Sequence, residues 1–355
     1  MKKYICLLFI VFLLAGCSAP AAEPTTEPTG TTAPAEMDYT PYMCPWTAED
    51  LAKARSDGKM HYFFMAAEGL HISRNQQNVD KWGDSTLVVF PDGKLMLVDT
   101  APSAYGPVLL RNLQQMGVER LDYIVVTHPH SDHQNGAFDE YNRDGGILDL
   151  IGTDIVYWRG AGVGSSDKDV MVAKVCTEKN IPYEVLEQGN ELQIGEVKMT
   201  VLWPAVGTSQ YLVPKADIND KSIVFRFDFQ EHSALFSADL YVAGEEMLLN
   251  ATDPTLLDTD FLKVPHHGHA TSSSASFLAA VSPELSVAMA RVPITQNLRL
   301  AYQVAGSTLL YDLVNGYIHV TAAADGTMEY TTTRNHDPVR QEELNIPSAS
   351  LAPLQ

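Results

Sequence analysis

The sequence predicts an α/β fold, specifically a four-layer αββα sandwich. Short β-branched and apolar runs alternate with stretches of helical spacing along most of the chain. They fall into two strand-rich halves that are loosely alike, with no closer internal repeat. Two sheets that bury one face on each other and the opposite face under helices are the arrangement such a pattern fills. With 355 residues, 45% of them hydrophobic, the chain can bury a sizeable core as one large domain or two small ones.

Taken in order, the chain opens on Lys2-Lys3, an apolar run and Leu14-Ala-Gly-Cys17. The apolar run is short for a membrane span and reads as an export signal over residues 1–16. Leu14-Ala-Gly-Cys17 resembles a bacterial lipobox, which implies cleavage before Cys17, a lipid on its thiol and an extracytoplasmic domain anchored to the bacterial cell membrane. Residues 17–45, rich in Ala, Pro, Thr and Glu, bury too little to offset ordering entropy and read as a disordered tether. The folded domain is expected over 46–336, with a flexible tail over 337–355. Cys44 and Cys176 are then the remaining thiols, and sequence leaves open whether they pair.

Within the domain, Thr47 caps a short helix, and His61-Tyr-Phe-Phe-Met-Ala-Ala is a first strand. Ser85 to Phe90 and Lys94 to Asp99 form a hairpin across Pro91-Asp-Gly93. Pro107 to Met116 has helical spacing and stops at Gly117. Ile124 to Val126 drives a buried strand. Leu148 to Trp158 reads as one strand, Asp169 to Lys179 as a helix, and Leu192 to Trp203 as a hairpin around Gly195. Ser222 to Phe229 pairs with Ala234 to Asp239 across Gln230-Glu-His232, which puts His232 at an exposed, non-functional tip. Glu245 to Leu249 is a helix, Thr259 to Pro265 a strand, Ser274 to Val281 a helix and Leu285 to Ala290 a strand. Two or three short strands complete Thr308 to Thr333.

The formal net charge is −20, from 24 Lys plus Arg against 44 Asp plus Glu. Phosphate binding rests on Lys and Arg, so this balance argues against a broad non-specific grip on nucleic acid and leaves a local basic groove open.

The chemistry concentrates where the Ile124 to Val126 strand runs out, in Thr127-His128-Pro-His130-Ser-Asp132-His133. Imidazoles and a carboxylate held on a short loop at a strand end are a donor set for zinc and related divalent ions. Asp239 closes Leu-Phe-Ser-Ala-Asp, where it serves either as a helix N-cap or as a ligand between two metals. A second block, Lys263-Val-Pro-His266-His267-Gly-His269, follows another strand. On the residues alone Asp99 is an ordinary strand-end aspartate and Lys263 a strand lysine pointing into solvent.

Thr127 to Gly136 resembles the signature loop of the metallo-β-lactamase fold superfamily. Gly83-Asp-Ser85, Leu97-Val-Asp99-Thr and Lys263-Val-Pro-His-His-Gly268 followed by serines resemble more closely the metallo-β-lactamase domain of ComEC-type DNA-uptake proteins. The resemblance implies a hydrolase holding one or two divalent ions, zinc first and manganese as the alternative. His128 and His130 would bind the first, Asp132 and His133 the second, and Asp239 would bridge them. Either His266 or His267 would ligate the second ion or protonate the departing oxygen, so Asp132, His266 and His267 form the expected catalytic set. The resemblance also implies that Asp99 orients the metal loop, and it allows Lys263 a role with a phosphate. Asn219-Asp-Lys-Ser222 echoes a family stretch that would bring Asp217 or Asn219 near the site. Two departures stand out: only His232 lies between the first motif and Asp239, and Val292 to Asn297 holds no histidine where such domains carry Gly-His-Pro. The expected substrates are phosphodiesters, in nucleic acid or envelope components. Lactones, thioesters or β-lactams, or a non-catalytic DNA- or ligand-binding role, stand as alternatives.

Overall fold

In a computed structural model, Phe225, Phe227 and Phe229 alternate with Arg226 and Asp228 along one strand, and the three rings are buried. Successive strand residues point to opposite faces, so this strand carries one apolar face. The structure describes residues 40–65, 83–138, 145–161, 166–207, 218–290 and 293–334. Cys17, the expected leader, most of the tether, Asp217 and the C-terminal tail lie outside them.

Among the described residues the strands are β1 (Met60–Phe64), β2 (Thr86–Val89), β3 (Leu95–Val98), β4 (Leu121–Val126), β5 (Thr153–Trp158), β6 (Tyr183–Val185), β7 (Glu191–Ile194), β8 (Val197–Trp203), β9 (Val224–Phe229), β10 (His232–Phe236), β11 (Phe261–Lys263), β12 (Leu285–Ala288), β13 (Thr308–Tyr311), β14 (Ile318–Ala322) and β15 (Met328–Thr332). They form two sheets, ordered β15-β14-β1-β2-β3-β4-β5-β6 and β13-β12-β11-β10-β9-β8-β7. In each sheet one half is antiparallel and the other parallel, the parallel blocks being β3 to β6 and β10 to β13.

Parallel neighbours need a crossover, and helices supply it. α1 (Ala48–Ala54) precedes β1, its first turn closed by a capping box between Thr47 and Asp50. α2 (Gly106–Gln115) links β3 to β4, α3 (Ser131–Gln134) and α4 (Ile147–Leu150) lie between β4 and β5, and α5 (Met171–Lys179) leads to β6. In the second sheet α6 (Val242–Ala251), α7 (Ala275–Val281) and α8 (Gln296–Val304) perform the same service, and α9 (Asp312–Asn315) follows β13. Between the sheets Tyr62 stacks on Phe261 at 5.1 Å and Phe90 meets Phe227 edge-on at 5.4 Å. The outer face of the second sheet, through Leu235 and Leu262, packs on Leu248, Phe277 and Tyr302 of its helices. This is the four-layer αββα sandwich. Among the described residues no helix is long and apolar enough to cross a membrane.

Three expectations need correction. The stretch from Leu148 to Trp158 divides into the end of α4 and β5. Gly152, at φ 75°, returns its N–H to the Ile147 carbonyl at 2.9 Å and so ends a helix before the strand begins. His232 is buried rather than exposed. The ladder begins at His232↔Phe229, so His232 shares the core face with Ala234 and Phe236, and its Nε2 meets Tyr62 Oη at 3.0 Å. Lys263 lies inside rather than in solvent, paired with the buried Asp84 carboxylate. Cys44 and Cys176 are each unpaired and buried, and burial pushes their thiols up to about 11 and about 12.

The metal-binding bend is clamped to the strand β3 exit by backbone contact. Gly136 donates its N–H to the Ala101 carbonyl at 3.0 Å, and a Cβ there would lie 1.8 Å from the Thr100 carbonyl oxygen. Neither backbone can give way without moving the bend, so Gly136→Ala should cost about 3 kcal/mol or more. Chemical denaturation of the variant measures this, and an unchanged midpoint refutes the clamp.

Buried imidazoles set the acid limb of stability. Burial lowers His232 to about 4 and His319 to about 3, whereas both titrate near 6.5 in the unfolded chain. Between those values the unfolded state binds more protons, so stability is full above about pH 6.5 and falls as pH drops, by up to about 1.4 kcal/mol per pH unit for each proton. Denaturation free energies between pH 7 and 4.5 should show this slope, and His319→Gln should flatten it.

Candidate metal centre

The site forms where carboxyl ends of strands from both sheets converge, in the manner of open parallel sheets. Asp99 follows β3, Thr127 and His128 follow β4, Asp239 follows β10, and His266-His267 follow β11. The chain turns sharply at each exit. Asp99, Ala238, His266 and His267 all have left-handed φ, between 45° and 58°. Such a conformation costs a non-glycine residue about 1–3 kcal/mol, and it persists where surrounding structure imposes it.

Two triads of donors result, each with ligand atoms within 4.8 Å of one another: His128, His130 and Asp239, and Asp132, His133 and His267. Asp239 belongs to the first and touches the second. Its Oδ2 lies 3.1 Å from His133 Nε2, 3.3 Å from His267 Nε2 and 3.8 Å from His128 Nε2. His267 Nε2 is also 3.8 Å from Asp132 Oδ2. His128, His133, Asp239 and His267 are buried, while His130 and Asp132 are half-buried and form the mouth.

The donor set fits a cation. Asp239 Oδ1 is buried and has no hydrogen-bond partner among the described residues, an arrangement that costs free energy unless something completes it. His128 Nε2 and His130 Nδ1 face each other at 3.1 Å, so a proton or a cation must lie between their lone pairs. Imidazole nitrogens with carboxylate oxygens are the donors that zinc takes.

The electrostatics follow the same geometry. Burial alone would raise Asp239, but His133 and His267 outweigh it and hold the carboxyl well below the usual range. Burial alone would lower His133, but Asp239 and then Asp99 carry it well above an ordinary histidine. His128 goes the other way, driven well down by burial and then by His133.

Asp99 orients the bend. Its Oδ1 accepts the Thr127 N–H at 2.8 Å, and its Oδ2 accepts the Thr127 hydroxyl at 2.7 Å and faces His133 Nδ1 at 2.7 Å. With Nδ1 donating to Asp99, His133 presents its Nε2 to Asp239. A carboxylate behind a ligating imidazole fixes both tautomer and ring orientation.

The histidine pair after β11 divides. His267 faces the carboxylates, whereas His266 turns to Thr271, its Nδ1 2.6 Å from the hydroxyl and its ring 4.7 Å from that of Tyr241. Burial lowers His266 to about 4. Asn219 is buried in a single turn just ahead of Ile223, whose N–H reaches the Thr127 carbonyl at 3.0 Å. Asp84 was read from sequence only within Gly83-Asp-Ser85 and given no role, yet it groups with Asp99 and His133, and with Asp239 and His267. The further signal for it was Lys263, a lone cation at the end of the apolar β11 that required a buried counter-charge.

A sandwich of this kind with clustered imidazoles and carboxylates defines a metal-dependent hydrolase fold. A family model described as the metallo-β-lactamase superfamily matches residues 82–290, more than half of the sequence, and the chain belongs to that superfamily. It is 26% identical over 180 residues to ComE operon protein 3 of Bacillus subtilis (strain 168), covering 51% of this chain and 21% of that protein. It is 28% identical over 228 residues to competence protein ComA of Neisseria gonorrhoeae, covering 61% of this chain and 27% of that one. The ComEC-type resemblance is borne out at this modest identity, over about a fifth to a quarter of each relative's length. Among solved structures, the metallo-β-lactamase fold protein YhfI of Bacillus subtilis matches at a TM-score of 0.47 and 15% identity, over 77% of this chain and 99% of that one.

Asp99→Asn keeps the shape but replaces the acceptor behind His133. Metal affinity should fall by about 10- to 100-fold, read by competition with a chromogenic chelator at constant pH, with the far-ultraviolet circular dichroism unchanged. An affinity within twofold of the parent's would remove Asp99 from this role.

Proposed function

We propose that this chain is a surface-tethered, metal-dependent hydrolase of phosphodiesters, in nucleic acid or in phosphorylated envelope components. The observation that carries the proposal is Asp239, a buried carboxylate whose Oδ2 lies against imidazoles of both triads. A carboxylate in that position suits two neighbouring divalent ions, which is the arrangement of many phosphoester hydrolases. One curated relative is named a competence protein, and this favours nucleic acid among the phosphodiesters.

His128, His130 and Asp239 would hold one ion, and Asp132, His133 and His267 the other, zinc being the first choice for imidazole donors and manganese the second. Such ions would supply Lewis acidity and a nucleophilic water at neutral pH. The rest falls to the chain. Asp99 holds His133 in one tautomer, and the buried walls limit water at the centre. His267 is committed to the carboxylates, which leaves the half-buried His266, neutral at pH 7, to offer an N–H hydrogen bond to the departing oxygen while water supplies the proton. The lipobox-like Leu14-Ala-Gly-Cys17 and the Pro- and Thr-rich stretch after it support an extracytoplasmic domain held to the bacterial membrane by lipid on Cys17.

The test is turnover by zinc- or manganese-loaded protein of bis-p-nitrophenyl phosphate against nitrocefin and a lactone. Phosphodiester cleavage should vanish on chelation, return with metal and fall at least about a hundredfold in His130→Ala. Turnover of nitrocefin or the lactone alone overturns the substrate assignment. Ligand binding without turnover, indifferent to His130→Ala, replaces the enzyme by a binding lipoprotein.

A further inference from the structure

Arg159 is a charged side chain for which neither the fold nor the metal centre accounts. It follows β5 directly, and the pairing Val126↔Trp158 sets it level with Thr127, where the metal-binding bend begins. It is 5% exposed, and its Nε has no hydrogen-bond partner among the described residues. Its carboxylate neighbour, Asp169, meets Nη2 only at 3.4 Å. The other oxygen of Asp169 is already engaged by the N–H and hydroxyl of Ser166, at 2.7 and 2.9 Å.

This segment lies against the metal bend. Gln134, at the end of α3, donates its amide N–H groups to the Pro129 carbonyl at 2.9 Å and the Lys168 carbonyl at 3.1 Å. A guanidinium offers five N–H donors in a rigid planar fork and keeps its charge when buried. A structural ion pair engages that fork with two parallel bonds to a carboxylate. Here one long contact stands in their place, so a buried charge at the end of a site strand is left incompletely paired, which is costly unless a ligand completes it.

We propose that Arg159 binds a non-bridging phosphoryl oxygen of the substrate and thereby selects anionic phosphodiesters over neutral esters, resting on the phosphodiesterase activity proposed above. The fork geometry suits a phosphoryl group, which presents two oxygens in one plane to parallel N–H donors. The metal triads hold ions and Arg159 holds the substrate's charge, so the two contributions are separable.

The test uses the full metal-loaded chain, with inorganic phosphate and bis-p-nitrophenyl phosphate as probes. Arg159→Gln should raise KM for the phosphodiester and Kd for phosphate by about 10- to 100-fold, with metal content and thermal midpoint unchanged. Arg159→Lys, which keeps the charge and loses the fork, should fall between Gln and the parent. Asp169→Asn should leave the phosphate Kd within about twofold, because Asp169 only lightly engages the guanidinium. Unchanged KM and Kd in Arg159→Gln overturn the proposal, as does an Asp169→Asn variant that reproduces its defect, since that marks a purely structural pair. If Arg159→Gln does not fold, the Arg159→Lys constants decide. A parent that cleaves no phosphodiester but loses phosphate affinity through Arg159→Gln would defeat the activity and leave the anion site standing.

Discussion

The constraint on which the rest depends is the burial of the Asp239 carboxylate among imidazoles. An isolated charge in a protein interior costs many kcal/mol, so it exists only where opposite charge surrounds it. His128, His133 and His267 arrive from strands β4 and β11, that is from both sheets, to meet one oxygen. The two sheets must therefore face each other in one register. Apolar packing alone tolerates small slips, since Phe and Tyr rings can repack. Three nitrogens within 3.8 Å of one carboxylate oxygen tolerate none of that size.

Maintaining that convergence stores strain. Ala238 just before the carboxylate, Asp99 behind the bend and both members of the histidine pair take left-handed backbone angles. The compensation is local and polar. Asp99 gathers two bonds from Thr127 and one contact with His133, and Lys263 neutralises Asp84 beneath. Removing one partner of a buried ion pair typically costs about 3–5 kcal/mol, far more than a surface pair contributes. The Lys263–Asp84 pair also ties β11 of one sheet to the segment ahead of β2 in the other, and so joins the two sheets beside the metal centre.

How much of this was legible depends on distance along the chain. The strands β9 and β10 announce themselves because a period of two is written in consecutive residues, and His128 to His133 do so because ligands on one bend must be close in sequence. The helical spacing between β3 and β4 and between β10 and β11 was legible as well, but the parallel pairing of those strands is seen only in the fold. What failed was whatever folding alone decides. From sequence His232 sits at a turn, but the ladder starts two pairs earlier than expected and turns it inward onto Tyr62. The choice between His266 and His267 depends on two left-handed residues in a row, which no propensity foresees. Asp84 and Arg159 are single residues at strand margins, and only their buried neighbours give them meaning.

An acidic chain of formal charge −20 and the anionic substrate proposed for it are compatible once range is considered. Exposed charges are screened beyond about 8 Å at physiological ionic strength. An exposed acid farther than that from the centre therefore does little to repel an anion there. Inside, the low dielectric lengthens the reach of every charge, and the metal-binding triads, Lys263 and Arg159 are all buried or half-buried. The acidic surface discourages long, non-specific contact with polyanions, while the buried Arg159 and Lys263 act only over a few ångströms. Such a division favours short contacts at a single phosphoryl group over a long basic track. Under the function proposed above, the chain would grip its substrate at the bond it breaks and very little elsewhere.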